Sequence, residues 1–170
     1  MKESPYLKGQ DQLIAQFRKI PFLQSFEEKY LREILALSKI RKYEPDEVII
    51  QEGLYDCWIY LLLSGEVTVV KHERQISRLD RPGDVFGELS VIDGEARSAS
   101  VHAVTAVTCL AVDGSFMDRA EEGDENAFSS VLYRMFTELL ANRLRNTSEE
   151  LALVKERLEM IEMFVEKKWY

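Results

Sequence analysis

The stretch FGELSVIDGEARSASV, residues 86–101, decides how the chain is read. Gly87 allows a close backbone approach, and Glu88 supplies a carboxylate that accepts hydrogen bonds from hydroxyl groups. Arg97 supplies a planar guanidinium that stays charged and suits a phosphate. Val85, Phe86, Leu89, Val91 and Ile92 are expected to anchor the segment to a core, so that the charged groups are held in place. A short helix opening near Gly87 to Ser90 would turn backbone N–H groups toward an anion. An anion, neighbouring hydroxyls and a pocket together describe a nucleotide.

The order Phe86-Gly87-Glu88-Leu89, a short apolar run, a turn, then Arg97-Ser98-Ala99-Ser100 resembles the phosphate-binding cassette of the cyclic nucleotide-binding domain family. The Gly-to-Arg spacing is similar to that of its kinase regulatory members. The resemblance implies that Glu88 binds the ribose 2′-hydroxyl and Arg97 the cyclic phosphate. Ser98 would add a hydroxyl to the phosphate, together with backbone amides near Leu89 and Ser90. Phe86, Gly87 and Ala99 complete the expected site. Arg97 is expected at an exposed pocket wall, contributing little to the core. The competing interpretation is a solvated loop in which Glu88 and Arg97 pair with each other, in a roll that kept its fold and lost its ligand.

Around this segment the sequence changes character twice. Gln10 to Ile20 and Phe26 to Ser38 carry helix-like spacing, with Ile20-Pro21-Phe22-Leu23 between them resembling the family's lead into its first helix. Strands are expected at Val48–Ile50, Trp58–Leu63, Glu66–Lys71, Ile76–Leu79, Asp84–Phe86, Ser98–Val104 and Val107–Val112. Gly53, Gly65, Gly83, Gly87 and Gly94 punctuate them where turns call for a positive φ. Many short strands with frequent turns indicate an antiparallel roll or barrel. From about Asn126 onward the pattern is helical. The expected fold is mainly β with flanking helices: a double-stranded β-helix, a jelly-roll-like β-roll, with N-terminal helices and a long C-terminal dimerisation helix. Three parts follow: residues 1–20, a helical extension; 21–125, the roll with the helix that leads into it; and 126–170, the C-terminal helix.

The last helix carries a heptad seam. Leu144, Leu151, Leu158 and Val165 take position a; Leu140, Thr147, Val154 and Ile161 take position d. In a parallel pair Glu150 would meet Lys155 of a second copy, and Arg157 would meet its Glu162. Such rim pairs favour one alignment over others. A parallel homodimer is expected; a solitary amphipathic helix would not explain both the period and the charge register. Thr147 is the polar residue of the seam, and a buried hydroxyl there calls for a partner. The segment NRLRNTSEEL, residues 142–151, resembles the dimer helix of the family's catabolite activator members. That implies a base contact from Thr147, another from Ser148 of the second copy, and a pairing of Arg143 with Glu88. The alternative for Thr147 is a bond back to its own helix carbonyl.

Composition bounds the rest. At 170 residues with 46% hydrophobic and 31% charged residues, the chain can bury one ordinary core. No apolar run has membrane length and the polar start does not read as a signal peptide. Cys57 and Cys109 are expected as buried free thiols in a reducing cytoplasm. The net charge of −8 argues against a nucleic-acid surface. No helix-turn-helix is expected after the dimer helix. A metalloenzyme on a similar roll needs several converging His ligands, whereas His72 and His102 lie thirty residues apart, His72 in a polar turn. The sequence therefore points to a cytoplasmic, dimeric, non-catalytic sensor with no metal and no cofactor. Its expected ligand is cyclic AMP ahead of cyclic GMP. It would signal through its dimer or a separate protein partner, for which Met160, Met163, Phe164, Trp169 and Tyr170 offer a surface. The alternative is a ligand-free interaction module.

Overall fold

Alternating apolar residues in short runs have to bury one face each, and here they do so in two antiparallel sheets. The structure, a computed structural model, describes residues 1–20, 23, 24, 26–115 and 126–166; in the last helix, side chains are described at 130, 132–134 and 136–163. Pro21, Phe22, Trp169 and Tyr170, and the side chains of Phe164 and Val165, lie outside the described residues.

Strands β1 (Lys2–Glu3), β2 (Ser38–Tyr43), β9 (Val107–Asp113), β4 (Trp58–Ser64) and β7 (Val85–Phe86) form one sheet in that order. The other runs β3 (Val48–Ile50), β8 (Ser100–Ala103), β5 (Val67–Lys71) and β6 (Arg74–Leu79). The inward positions Tyr60, Leu62, Cys109 and Ala111 pack with Tyr43, Ile50, Val67, Phe86, Val101 and Val107 in the core of the roll. Their neighbours Ile59, Leu61 and Leu110 point to the opposite face and are equally buried. Being covered on both faces, β4 reads as an unbroken apolar run. The β5–β6 turn is closed by His72 and Glu73, both at positive φ (48° and 63°), as a tight two-residue hairpin needs.

The helical readings hold in part. Gln10 to Ile20 forms only a 3₁₀ turn (Asp11–Leu13) and the four-residue helix α1 (Ile14–Phe17). The second run forms helix α2 (Glu28–Ala36), burying Tyr30, Leu31, Ile34 and Leu35. Ser38 does not close that helix but begins β2, its hydroxyl donating to the carbonyl of Ile34. The segment after Gly87 forms the short helix α3 (Leu89–Asp93). Cys109 is buried as expected, whereas Cys57 is exposed because it precedes β4.

The chain separates into two units, Met1–Gly123 and Asp124–Tyr170. The second is built on one continuous helix, α4 (Asn126–Glu166), of 41 residues, roughly 60 Å long at 1.5 Å per residue. Along it Leu144, Leu151, Val154, Leu158 and Ile161, all seam positions, are exposed. No helix among the described residues is long and apolar enough to cross a membrane.

Candidate anion-binding site

Strand β7 delivers the site. Phe86 pairs with Tyr60 of β4, and their rings stack with centroids 5.2 Å apart and planes at 6°. The chain then turns sharply at Gly87, where φ is 78°. A Cβ at this position would stand 2.8 Å from Nη1 of Arg97 and 2.9 Å from Cδ1 of Ile50. Glycine is thus required both by the backbone and by the arginine that passes against it.

Glu88 follows as the first flank of α3 and is 1% exposed. Its carbonyl accepts from the N–H groups of Val91 and Ile92, both at 3.1 Å. Ser90, one residue into α3, is half-buried, while Leu89 turns outward and is exposed. The core anchor of this segment is therefore Val85 and Phe86, with Val91 and Ile92 half-buried and Leu89 excluded.

Arg97 enters from the opposite side. Its backbone pairs with the 53–54 segment, the Gly53 N–H donating to the Arg97 carbonyl and the Arg97 N–H to the Leu54 carbonyl, both at 2.9 Å. Far from lining an exposed wall, Arg97 is 3% exposed. Its Nε donates to Asp56 Oδ2 at 3.0 Å, and Nη2 donates to Asp56 Oδ1 and to the Trp58 carbonyl. Nη1 donates to Ser90 Oγ at 2.7 Å and to the Gly87 carbonyl. All five guanidinium N–H groups are accepted, two of them by one carboxylate in a fork. Asp56 meets solvent on its other side, and its Oδ1 also accepts from the Trp58 N–H at 2.9 Å.

Asp56 is the site residue that sequence reasoning missed. It lies 41 positions from Arg97, and the backbone bonds between Arg97 and the 53–54 segment bring the two together. The one available signal is a lone acid directly ahead of an apolar strand.

Of the other expected residues, Ser98 is exposed and Ala99 half-buried, both next to Arg97 in sequence. Ser100 is buried and its Oγ accepts from the Glu52 N–H at 2.9 Å. Arg143, Thr147 and Ser148 belong to α4, in the second unit. Thr147 and Ser148 are exposed, and it is Ser148, not Thr147, whose hydroxyl is described bonding back along the helix, to the Leu144 carbonyl at 2.7 Å. Among the described residues no group of three or more His, Cys, Asp or Glu could hold a metal ion. Chemically, a buried cation whose acid partner is half-exposed can bind an anion in that acid's place.

The sequence profile of the family described as "Cyclic nucleotide-binding domain" matches residues 40–122, which include Asp56, Gly87, Glu88, Ser90 and Arg97. Over 107 residues the chain is 32% identical to a cGMP-dependent protein kinase of Plasmodium berghei (strain Anka), covering 62% of this chain and 12% of that one. Over 88 residues it is 36% identical to a cAMP-dependent protein kinase regulatory subunit of Hypocrea atroviridis, covering 52% and 19%. The chain thus spans less than a fifth of the curated relatives it matches. Among solved structures it is similar to a cyclic nucleotide-binding domain from Methylobacillus flagellatus, with TM-score 0.71, 22% identity and 84% of both chains covered. It is also similar to the Thermus thermophilus catabolite activator protein, with TM-score 0.61, 29% identity, and 79% and 63% covered.

Proposed function

Residues 40–122 belong to the cyclic nucleotide-binding domain family, and from that premise we propose that the chain is a non-catalytic cyclic nucleotide sensor, cytoplasmic and dimeric. Residues 21–125 form its ligand-binding roll and 126–170 its pairing helix. The observation that carries the reading is the Arg97 fork: a buried guanidinium, kept charged, whose main partner is one acid open to water. A cyclic phosphate carries the same charge as that acid and the same bidentate geometry. It takes Arg97 by exchange, so the binding free energy is a difference between two charge-assisted pairs rather than the whole of one. Glu88 receives the ribose 2′-hydroxyl; Ser98 and the amides around Leu89 and Ser90 add to the phosphate contacts.

Cyclic AMP is the favoured ligand. Thr147, with Ser148 of a second copy, presents hydroxyls that accept from the adenine amine, where guanine presents a carbonyl. The seam of α4 pairs with that of a second copy, and the signal passes through this dimer or to a separate protein. A second reading, a ligand-free interaction module, has one observation in its favour: every N–H of Arg97 already has an acceptor within the protein.

Calorimetric titration of the full chain with cyclic AMP and cyclic GMP separates the two. The sensor reading predicts saturable binding at one ligand per chain, tighter for cyclic AMP. Absence of heat and of competition with either nucleotide gives the chain to the second reading.

A further inference from the structure

The first residues of the chain lie along the open edge of β2, and their contacts lead to the anion site. Glu3 of β1 stands opposite Arg41 of β2. Its carboxylate accepts from Arg41 Nε at 3.0 Å and from Lys39 Nζ at 2.8 Å. These bonds, the one from Lys39 foremost, hold the Glu3 carboxyl below the usual range, so it is ionised at neutral pH. Arg41 is a buried cation in the middle of a strand. Besides Glu3 it is held by the Tyr60 hydroxyl, to which Nη1 donates at 2.8 Å, and by the face of Trp58, whose ring centroid is 4.0 Å from Cζ. The backbone carbonyl of the same Trp58 accepts from Nη2 of Arg97. Three contacts therefore run from Glu3 through Arg41 and Trp58 to the guanidinium that meets the phosphate.

We propose that Glu3 is a positioning residue for Arg97, acting through Arg41 and Trp58. The inference rests on Arg97 being the phosphate donor, as proposed above. Glu3 neutralises Arg41 and so keeps it stacked on Trp58; the stack fixes the first residue of β4; and that residue's carbonyl holds one of the N–H groups the ligand must take. Without Glu3 the buried Arg41 turns toward water, Trp58 loosens, and Arg97 is held less tightly by the protein. The ligand then meets less competition. By reciprocity, a ligand that draws Arg97 away from Trp58 loosens the strap formed by residues 2–7.

The test is made on the full chain. In the ligand-free protein, hydrogen exchange at the Arg97 Nε–H, followed by nuclear magnetic resonance, reports the hold on the guanidinium. Glu3→Gln should speed it by roughly fivefold, with circular dichroism confirming that the variant is folded. Arg41→Gln should do the same, and the double variant should add nothing further, as two members of one relay do. Trp58 emission, read in a Trp169→Phe background, should shift in step. Cyclic AMP should bind Glu3→Gln roughly fivefold more tightly than the unsubstituted chain. Unchanged Arg97 exchange in Glu3→Gln, or additive effects in the double variant, would overturn the proposal. An unsubstituted chain that takes no cyclic nucleotide overturns the functional reading, while the exchange rates in the same samples still decide on Glu3.

Discussion

The roll and the long helix treat their functional side chains in opposite ways. In the roll, Glu88 and Arg97 are buried, and Arg97 is tied into a network that closes within the chain. On α4, Leu144, Thr147, Leu151, Val154, Leu158 and Ile161 stand exposed at intervals of three and four, and Ser148 is exposed beside them. Arg97 has its partners within the chain already; the exposed apolar residues of α4 gain partners only from another surface. Under the proposed function, preorganisation belongs to the phosphate and ribose contacts, and assembly governs the contacts to the base.

The largest expected effect breaks the helix side of this contrast. Leu151→Asp combined with Leu158→Asp places two carboxylates in the seam, which forbids a parallel pair. Sedimentation should find a monomer whose roll unfolds at the unsubstituted temperature. A dimer that survives both changes would remove the seam as the interface.

A smaller effect probes the roll. Gly87→Ala forces a side chain into positive φ and a Cβ to within 2.8 Å of Arg97 Nη1. Urea unfolding should show a loss of roughly 1–3 kcal/mol, with cyclic AMP affinity falling alongside. Retention of both would mean that Arg97 can leave its network at no cost.

Glu88→Ala sharpens the division of labour within the site. It should weaken cyclic AMP by about tenfold, the worth of one charge-assisted hydrogen bond, and leave a 2′-deoxy analogue nearly unaffected. Equal losses for the two ligands would take the ribose role away from Glu88.

The smallest effect is chemical. Cys109 is buried and desolvation pushes its thiol up to about 12, whereas Cys57 is exposed. Iodoacetamide should label one thiol in the native chain and two in urea. Labelling of both under native conditions would show that the core between β2, β9 and β4 opens readily.

How far the sequence reveals this molecule depends on where the determining contacts lie. Strands such as Val67–Lys71 and Val107–Asp113 declare themselves as short runs rich in β-branched and apolar residues between turns. Strand β2, SKIRKY, does not, because an arginine takes one of its inward positions; its burial becomes intelligible only with Glu3 and Tyr60 in place. The first helix was overestimated for a related reason. Its few apolar residues serve a loop that packs through Ile14, Phe17 and Ile20 rather than a long amphipathic face. In the site, the cassette from Phe86 to Ala99 is local and therefore legible. Asp56 is brought in by tertiary pairing, and only its place ahead of an apolar strand hints at it. The burial of Arg97 was likewise hidden, since a charged residue reads as exposed until its partner is known.

The central claim is that a cyclic nucleotide exchanges with Asp56 for Arg97. Parallel calorimetric titrations of the unsubstituted chain and Arg97→Gln with cyclic AMP test it most directly, with circular dichroism confirming that both are folded. The account predicts saturable binding by the first and, for the second, an affinity lower by about 10- to 100-fold, the worth of a bidentate charged pair less what its exchange with Asp56 returns. Equal affinities in two folded proteins would contradict it.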